Sequence, residues 1–210
     1  IFCIMKFDHP STLQQLASLT GTRIIGNGAL EVTGINEIHM VEKGDITFVD
    51  HPKYYDKALL SAATFVIINK EVECPEGKSL LFSDDPFRDY VKIVKHFRPF
   101  ESAQKAIAPS AKIGEGTIIQ PNVFIGNHVV IGENCVIHSG VSIYDHCEVG
   151  DDVIIHSNTV IGSDAFYFKR RPEGYDKMVS CGRVIIQNKV ELGSCCTIDK
   201  GVSGDTIIGE

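Results

Sequence analysis

The stretch IAPSAKIGEGTIIQPNVFIGNHVVIGENCVIHSGVSIYDHCEVGDDVIIHSNTVI, residues 107–161, repeats every six residues. Its first residue and every sixth residue after it are Ile or Val, and the residue four places after each of these is small or β-branched. An α-helix would scatter these positions around its axis, whereas short strands joined by turns point them all inward. The repeat therefore predicts a parallel β-helix in which each hexapeptide forms one side of a prism.

The residues between the inward positions suit turns. Gly follows the repeated Ile or Val at 113, 125, 131, 149 and 161, where we expect positive φ, and the same backbone is predicted at Asn122, Asn134, Asp152 and Asn158. The register breaks after Phe166 and resumes at Ile186, Leu192 and Ile198. Residues 167 to about 183 are therefore predicted to be an excursion from the β-helix, which spans 101–210.

The seven cysteines form no Cys-x-x-Cys pair, which argues against a zinc site. Cys135, Cys147 and Cys196 fall on the small inward position of the repeat, so we predict that they are core residues. Free packing cysteines fit a reducing cytoplasm.

The first hundred residues lack the repeat, so a small mixed α/β domain is predicted for residues 1–100. A capping box at Ser11 and Gln14 begins a helix, and Asn27-Gly28 is typical of a β-hairpin. The remaining predicted elements are strands over 46–49, 65–68 and 80–82, and helices over 53–61 and 86–97.

Composition excludes several classes of protein. With 43% hydrophobic residues and a net charge of −7, the 210-residue chain is neither disordered nor suited to nucleic acid. The apolar start, residues 1–4, is too short for a signal peptide or a membrane span. We therefore expect a soluble, cytoplasmic protein.

Six segments resemble, in order, the signatures of a known family, the UDP-3-O-acylglucosamine N-acyltransferases of lipid A synthesis. The resemblance covers nearly the whole chain. The segments are Gly44-Asp45-Ile46-Thr47-Phe48, Pro52-Lys53-Tyr54, and residues 161–166, 182–186, 197–201 and 205–209.

The resemblance implies a left-handed parallel β-helix with three hexapeptides per coil, assembled as a homotrimer with active sites between subunits. It also implies transfer of a 3-hydroxyacyl group from acyl carrier protein to the 2-amino group of UDP-3-O-acylglucosamine. A histidine acts as general base in that reaction, and neither a cofactor nor a metal is implied.

The resemblance assigns substrate-binding residues to the first domain. Phe48 and Tyr54 match the aromatic pair that holds uracil, and His51 stands where the family usually has a base-contacting Asn. Residues 164–168 depart from the family's Asp-Gly-Phe-Gly, and we expect the bulkier side chains there to alter the acyl or pantetheine channel. The family's catalytic histidine follows the Asp-Thr-x-Ile-Gly segment, and this sequence ends at Glu210. No catalytic residue is therefore predicted here, and the sequence is expected to be truncated at its C-terminus.

Other interpretations stay open at this point. An eighteen-residue coil aligns His128 with His146 and Asp164, which allows a γ-class carbonic anhydrase with zinc. It also aligns His138 with His156, which allows catalytic histidines in a divergent transferase. A different hexapeptide acyltransferase, such as a UDP-N-acetylglucosamine O-acyltransferase or a coenzyme A-dependent sugar acetyltransferase, is a second alternative. A non-catalytic trimeric sugar-nucleotide binder is a third. Lys169-Arg170-Arg171 is either a solvated loop or a contact for an acidic carrier or a diphosphate.

Overall fold

A computed structural model describes residues 5–209, which form two compact units. The first contains residues 5–99, Tyr167–Cys181 and Val202–Gly204; the second contains Phe100–Phe166, Gly182–Gly201 and residues 205–209. The prediction about the apolar start, residues 1–4, concerns positions outside the described ones. Within residues 5–209, the helices are too short or too polar to cross a membrane.

The first unit is built on a six-stranded sheet. Its strands are β1 (Lys6–Thr12), β2 (Arg23–Ile25), β3 (Glu31–Ile35), β4 (Asp45–Val49), β5 (Phe65–Ile68) and β6 (Ser79–Phe82). The sheet order is β1-β3-β4-β5-β6-β2, with β3 to β6 parallel and the two edge strands antiparallel. All four side chains of β5 are buried, as expected of a central parallel strand covered on both faces. The three strands predicted in this region are confirmed.

Three helices and one 3-10 turn accompany this sheet: α1 (Leu13–Thr20), the turn Pro52–Tyr54, α2 (Tyr55–Leu59) and α3 (Pro86–Phe97). α3 begins after its N-cap Asp85 with Pro at the first position, as predicted. The predicted capping box was wrong by one residue, because β1 continues through Thr12. Thr12 is the N-cap, and it exchanges hydrogen bonds with Gln15.

The predicted hairpin at Asn27-Gly28 is wrong. β2 pairs with β6, whereas β3 pairs with β1 and β4. The backbone N–H of Asn27 donates to the hydroxyl of Ser79 at 3.0 Å, which ties the turn to β6. Pairing with the buried strand β6 therefore outweighs the local turn preference.

The second unit is a parallel β-helix. Its first nine strands are β7 (Lys112–Ile113), β8 (Ile118–Ile119), β9 (Phe124–Ile125), β10 (Val130–Ile131), β11 (Val136–Ile137), β12 (Ser142–Ile143), β13 (Glu148–Val149), β14 (Ile154–Ile155) and β15 (Val160–Asp164). The strands are distributed over three parallel sheets, one strand of each coil to each sheet. Val130 pairs with both Lys112 and Glu148, so neighbouring coils are offset by 18 residues.

The predicted excursion is an antiparallel hairpin of β16 (Phe168–Arg171) and β17 (Gly174–Lys177). Although the sequence placed it with the β-helix half, its residues pack in the first unit, where Met178 and Cys181 join the core. The coil resumes with β18 (Val184–Ile186), β19 (Glu191–Leu192), β20 (Thr197–Lys200) and β21 (Thr206–Ile208). Val149 pairs with Ile186, which confirms the predicted register.

Two turn devices shape the corners of the coils. Asn122, Asn134, Asp152 and Asn158 have positive φ, as predicted. Among the five predicted glycines, only Gly162 has positive φ, so that prediction was wrong for the others. Gly114 shows why glycine is needed even so: a Cβ there would lie 2.5 Å from the backbone of Gly132 in the next coil.

The repeated Ile and Val side chains form the core of the second unit. Cys135 and Cys147 are buried among them, as predicted. Cys196 is exposed, which corrects the prediction that it is a core residue. Cys196 immediately precedes β20, which lies at the end of a sheet, so within the described residues no further coil packs over this position.

Candidate functional site

A cavity of about 390 Å³ in the first unit brings together three separate parts of the chain. They are the segment after β3, the segment from the end of β4 through the 3-10 turn into α2, and the residue just before β16. The lining side chains are Glu37, Ile38, His39, Phe48, Val49, Asp50, His51, Tyr54, Lys57 and Tyr167. Phe48, His51 and Tyr54 thus lie in one cavity; their assignment to uracil binding stays a prediction.

Phe48 forms a fixed aromatic wall of this cavity. It lies on β4 and is half-buried, with its ring centroid 4.7 Å from that of Tyr90 and 6.1 Å from that of Phe87. Tyr90 and Phe87 are buried residues of α3. Their packing holds the Phe48 ring in one orientation, so the part that faces the cavity is a rigid apolar surface.

Tyr54 belongs to a more open wall. Its side chain is 44% exposed, and its ring centroid lies 5.9 Å from that of His51. The Nζ of Lys53 lies 5.4 Å from the Tyr54 ring centroid, close enough for a cation–π contact. An aromatic ring with this much exposure has surface available to stack on a flat ligand.

His51 is positioned by its own turn. It is the N-cap of the 3-10 turn, and its Nδ1 accepts a hydrogen bond from the backbone N–H of Lys53 at 3.2 Å. Pro52 starts the turn with a φ that suits it. Because Nδ1 is used as an acceptor, the neutral ring carries its proton on Nε2. His51 in this tautomer therefore has a ring N–H to donate and no free ring acceptor.

Charges of both signs surround the cavity. Asp50, a lining residue, forms an ion pair with Lys169 of β16, and Lys57 is the lysine among the lining residues. Burial, together with the nearby carboxylates of Asp50 and Glu37, raises the pKa of Tyr167 above its ordinary value. The Tyr167 hydroxyl therefore stays protonated and neutral at physiological pH.

The hairpin that carries Lys169 is anchored to the N-terminal end of α3 by an ion-pair network. Arg88 contacts Asp176 at 2.8 Å and Glu173 at 2.8 Å, while Arg171 contacts Asp85 at 2.8 Å and Asp176 at 3.0 Å. The hydrogen bond from Arg88 is the main cause that lowers the pKa of Asp176. Arg171 and Lys169 also lie over the ring of Phe87, at 5.7 and 5.6 Å from its centroid. The Lys169-Arg170-Arg171 run thus supplies structural ion pairs through its first and last residues.

Of the ten lining residues, sequence reasoning assigned only Phe48, His51 and Tyr54 to the site, and Tyr167 is the missed residue that comes from a distant part of the chain. The β3–β4 loop and the β4–α2 segment are neighbours along the chain, but Tyr167 comes from the excursion between coils. The sequence did single out Tyr167 in one respect, because residues 164–168 depart from the family's Asp-Gly-Phe-Gly. That departure predicted an altered acyl or pantetheine channel, which stays a prediction.

The histidines of the second unit form ladders on neighbouring coils. The ring centroids of His128 and His146 are 5.1 Å apart, and those of His138 and His156 are 5.0 Å apart. The Nε2 of His156 lies 2.7 Å from the carboxylate of Glu191. Within residues 5–209, no group of three or more His, Cys, Asp or Glu side chains could hold a metal ion.

Two family models match the chain. Residues 29–96 match UDP-3-O-(3-hydroxymyristoyl) glucosamine N-acyltransferase, LpxD, and residues 128–163 match the bacterial transferase hexapeptide with six repeats. The first match contains Phe48, His51 and Tyr54, and the second lies in the coils. With the three parallel sheets, the hexapeptide match confirms the predicted fold class, a small α/β domain and a left-handed parallel β-helix.

Three curated relatives are each named UDP-3-O-acylglucosamine N-acyltransferase. The protein of Syntrophotalea carbinolica is 38% identical over 222 residues, and that of Lawsonia intracellularis is 37% identical over 222 residues; each alignment covers 94% of this chain and 64% of the relative. The protein of Dechloromonas aromatica is 36% identical over 221 residues, covering 95% of this chain and 64% of the relative.

The chain thus spans 64% of the length of these relatives. The similarity extends across both units, and it includes the cavity and the repeat. Over nearly its whole length the chain is therefore similar to the UDP-3-O-acylglucosamine N-acyltransferases.

Proposed function

We propose that the chain is part of an enzyme of lipid A biosynthesis that transfers a 3-hydroxyacyl group from an acyl carrier protein to the 2-amino group of UDP-3-O-acylglucosamine. The observation that carries the proposal is the cavity lined by Phe48, His51 and Tyr54, inside the segment that matches the family model. The names of the three curated relatives support the same reaction.

The reaction assigns this part of the chain a binding role. The neutral 2-amino group attacks the thioester carbonyl, and the new C–N bond forms as the C–S bond breaks. A general base takes the ammonium proton and returns it to the departing thiolate, so the carrier leaves as a thiol. Phe48 and Tyr54 hold the uracil ring, and His51 donates to one of its oxygens. Fixing the nucleotide holds the attached sugar in place, which lowers the entropic cost of the attack.

We also propose that the protein works as a homotrimer. The outward-facing side chains of β8, β11 and β14 are Ile118, Val136 and Ile154, which form an apolar column across neighbouring coils. Ile118 is 59% exposed. Burying such a column against another copy would remove apolar surface from water. Analytical ultracentrifugation should give three times the chain mass of 23.0 kDa, and a monomer would contradict the proposal.

We place the enzyme in the cytoplasm. The six described cysteines are all free, and Cys135 and Cys147 pack in the core as thiols. Thiols of this kind are typical of a reducing compartment. Fractionation of cells that express the tagged protein tests this, and recovery in the periplasm would contradict it.

Calorimetric titration of the 210-residue chain with UMP tests the binding role. We expect saturable binding that Tyr54→Ala weakens about tenfold, since an aromatic stack contributes up to about 1.4 kcal/mol. Tyr175→Ala is the matched control, because Tyr175 is 70% exposed on β17 and does not line the cavity. If no uridine nucleotide binds, the proposal fails.

An acyl-transfer assay on the natural gene product tests the reaction. Mass spectrometry should detect N-acylated product from UDP-3-O-acylglucosamine and 3-hydroxyacyl carrier protein. Turnover with acetyl coenzyme A instead would favour a different hexapeptide acyltransferase. Nucleotide binding without any turnover would favour the non-catalytic binder.

A further inference from the structure

Tyr167 stands apart from the other cavity residues in its origin. The other nine lining residues come from Glu37 to Lys57, whereas Tyr167 lies immediately before β16. Its side chain is 41% exposed, so part of the ring is in contact with protein and part is available to the cavity. The surface it presents is therefore set by the hairpin and not by the sheet.

Tyr167 is held by one contact of its ring and by one hydrogen bond of its backbone. Its centroid lies 6.0 Å from that of Phe87, in an edge-to-face arrangement, and Phe87 is buried. Its backbone carbonyl accepts a hydrogen bond from the N–H of Met178 at 2.9 Å, and Met178 is also buried. A ring fixed in this way loses little entropy when a ligand packs on it.

The hairpin itself is fixed beside the cavity. Lys169 pairs with the cavity residue Asp50, and Arg171 pairs with Asp85 at the N-cap of α3. These ion pairs lie on the same strand that Tyr167 leads into. They hold this strand against α3 and beside Asp50, and Lys169 offsets the negative charge of Asp50.

We propose that Tyr167 is a further ligand-binding residue of this site, and that its ring packs on the nucleoside held by Phe48 and Tyr54. The inference rests on the proposed nucleotide-binding function of the cavity. A third aromatic surface encloses a flat ligand more completely than two, because it removes additional apolar area from water. Since the Tyr167 hydroxyl stays protonated, the wall remains neutral beside a nucleotide phosphate.

The experiment compares UMP affinity among four proteins by calorimetry: wild type, Tyr167→Ala, Tyr167→Phe and Tyr175→Ala. Loss of the ring in Tyr167→Ala should weaken binding about tenfold, whereas Tyr167→Phe, which keeps the ring, should stay within about threefold of wild type. Tyr175→Ala should bind like wild type, because it changes the same hairpin away from the cavity. Thermal unfolding of each variant shows that the comparison is made on folded protein.

The outcomes separate this inference from the function on which it rests. If wild type does not bind UMP, the proposed function fails and the inference fails with it. If wild type binds UMP and Tyr167→Ala binds equally well, only the role of Tyr167 is overturned. An equal loss in Tyr167→Phe and Tyr167→Ala, or a loss in Tyr175→Ala that matches Tyr167→Ala, would also overturn the ring contact.

Discussion

The Nδ1 atom of His51 accepts a hydrogen bond from the backbone N–H of Lys53 at 3.2 Å, two residues further along the same turn. An imidazole Nδ1 has a single lone pair, so the cap uses all the acceptor capacity of the neutral ring. Uracil presents two carbonyl acceptors and one N–H donor. In the proposed uridine site, His51 can donate to a carbonyl oxygen, but it has no acceptor left for the uracil N–H.

His51→Asn should bind UMP about threefold to tenfold more tightly than wild type. An amide oxygen has two lone pairs, so asparagine can cap the turn and still accept from the uracil N–H, while its NH₂ donates to a carbonyl. Calorimetry with UMP and 3-methyl-UMP checks this, since methylation removes the N–H and should abolish the gain. His39→Asn, at an exposed histidine of the same cavity, is the matched control. Equal or weaker binding of UMP by His51→Asn would contradict the prediction.

The β-helix was predictable because its fold is local in sequence. Each hexapeptide specifies its own inward residues, and stacking of coils repeats the same pairing, as at Val130 between Lys112 and Glu148. The exposure of Cys196 was not predictable in this way. The pattern gives the direction of a side chain, whereas its burial depends on a neighbouring coil above it.

The cavity was predictable only where its residues are close in sequence. Phe48, His51 and Tyr54 follow one another from β4 into the 3-10 turn, so a short motif reveals all three. The contribution of Tyr167 depends on how the hairpin packs on α3, through side chains such as Phe87 and Arg88. Sheet pairing is likewise non-local, and for this reason the Asn27-Gly28 signal gave the wrong partner for β2.

Ile137→Ala should lower the free energy of unfolding by about 2–5 kcal/mol, because Ile137 is fully buried and its truncation leaves a cavity. Val130→Ala is the comparison, since Val130 faces outward and is 41% exposed. We expect a change of about 0.5 kcal/mol or less there. Urea denaturation followed by circular dichroism measures both. Similar losses in the two variants would contradict the alternation of inward and outward residues.

The ion pairs of the hairpin should make stability depend on acid pH. The pKa of Asp176 is lowered in the folded protein, chiefly by its hydrogen bond to Arg88, so its contribution is present above its ordinary pKa of 3.8 and is lost as the pH falls below that value. Asp176→Asn should therefore reduce stability at pH 7 but change it less at pH 3. Asp8→Asn, at an exposed position of β1, should show no such difference between the two pH values. Denaturation curves at both pH values test this, and a loss for Asp176→Asn that is the same at pH 3 as at pH 7 would contradict it.

Thiol reactivity should divide the cysteines of the β-helix into two classes. Burial raises the pKa of Cys147 to about 11, so at pH 8 this thiol is protonated as well as inaccessible. Cys195 and Cys196 are exposed, and we expect both to react with a thiol reagent in the native protein. Cys135 is buried as well, so we expect both Cys135 and Cys147 to react only after the protein is unfolded in denaturant.

The control is the double variant Cys195→Ser, Cys196→Ser. It should lose the rapid reaction of the native protein and keep the slower thiols that react on unfolding. Mass spectrometry of the alkylated peptides identifies each site, and rapid modification of Cys147 in the native protein would mean that the coil does not bury it.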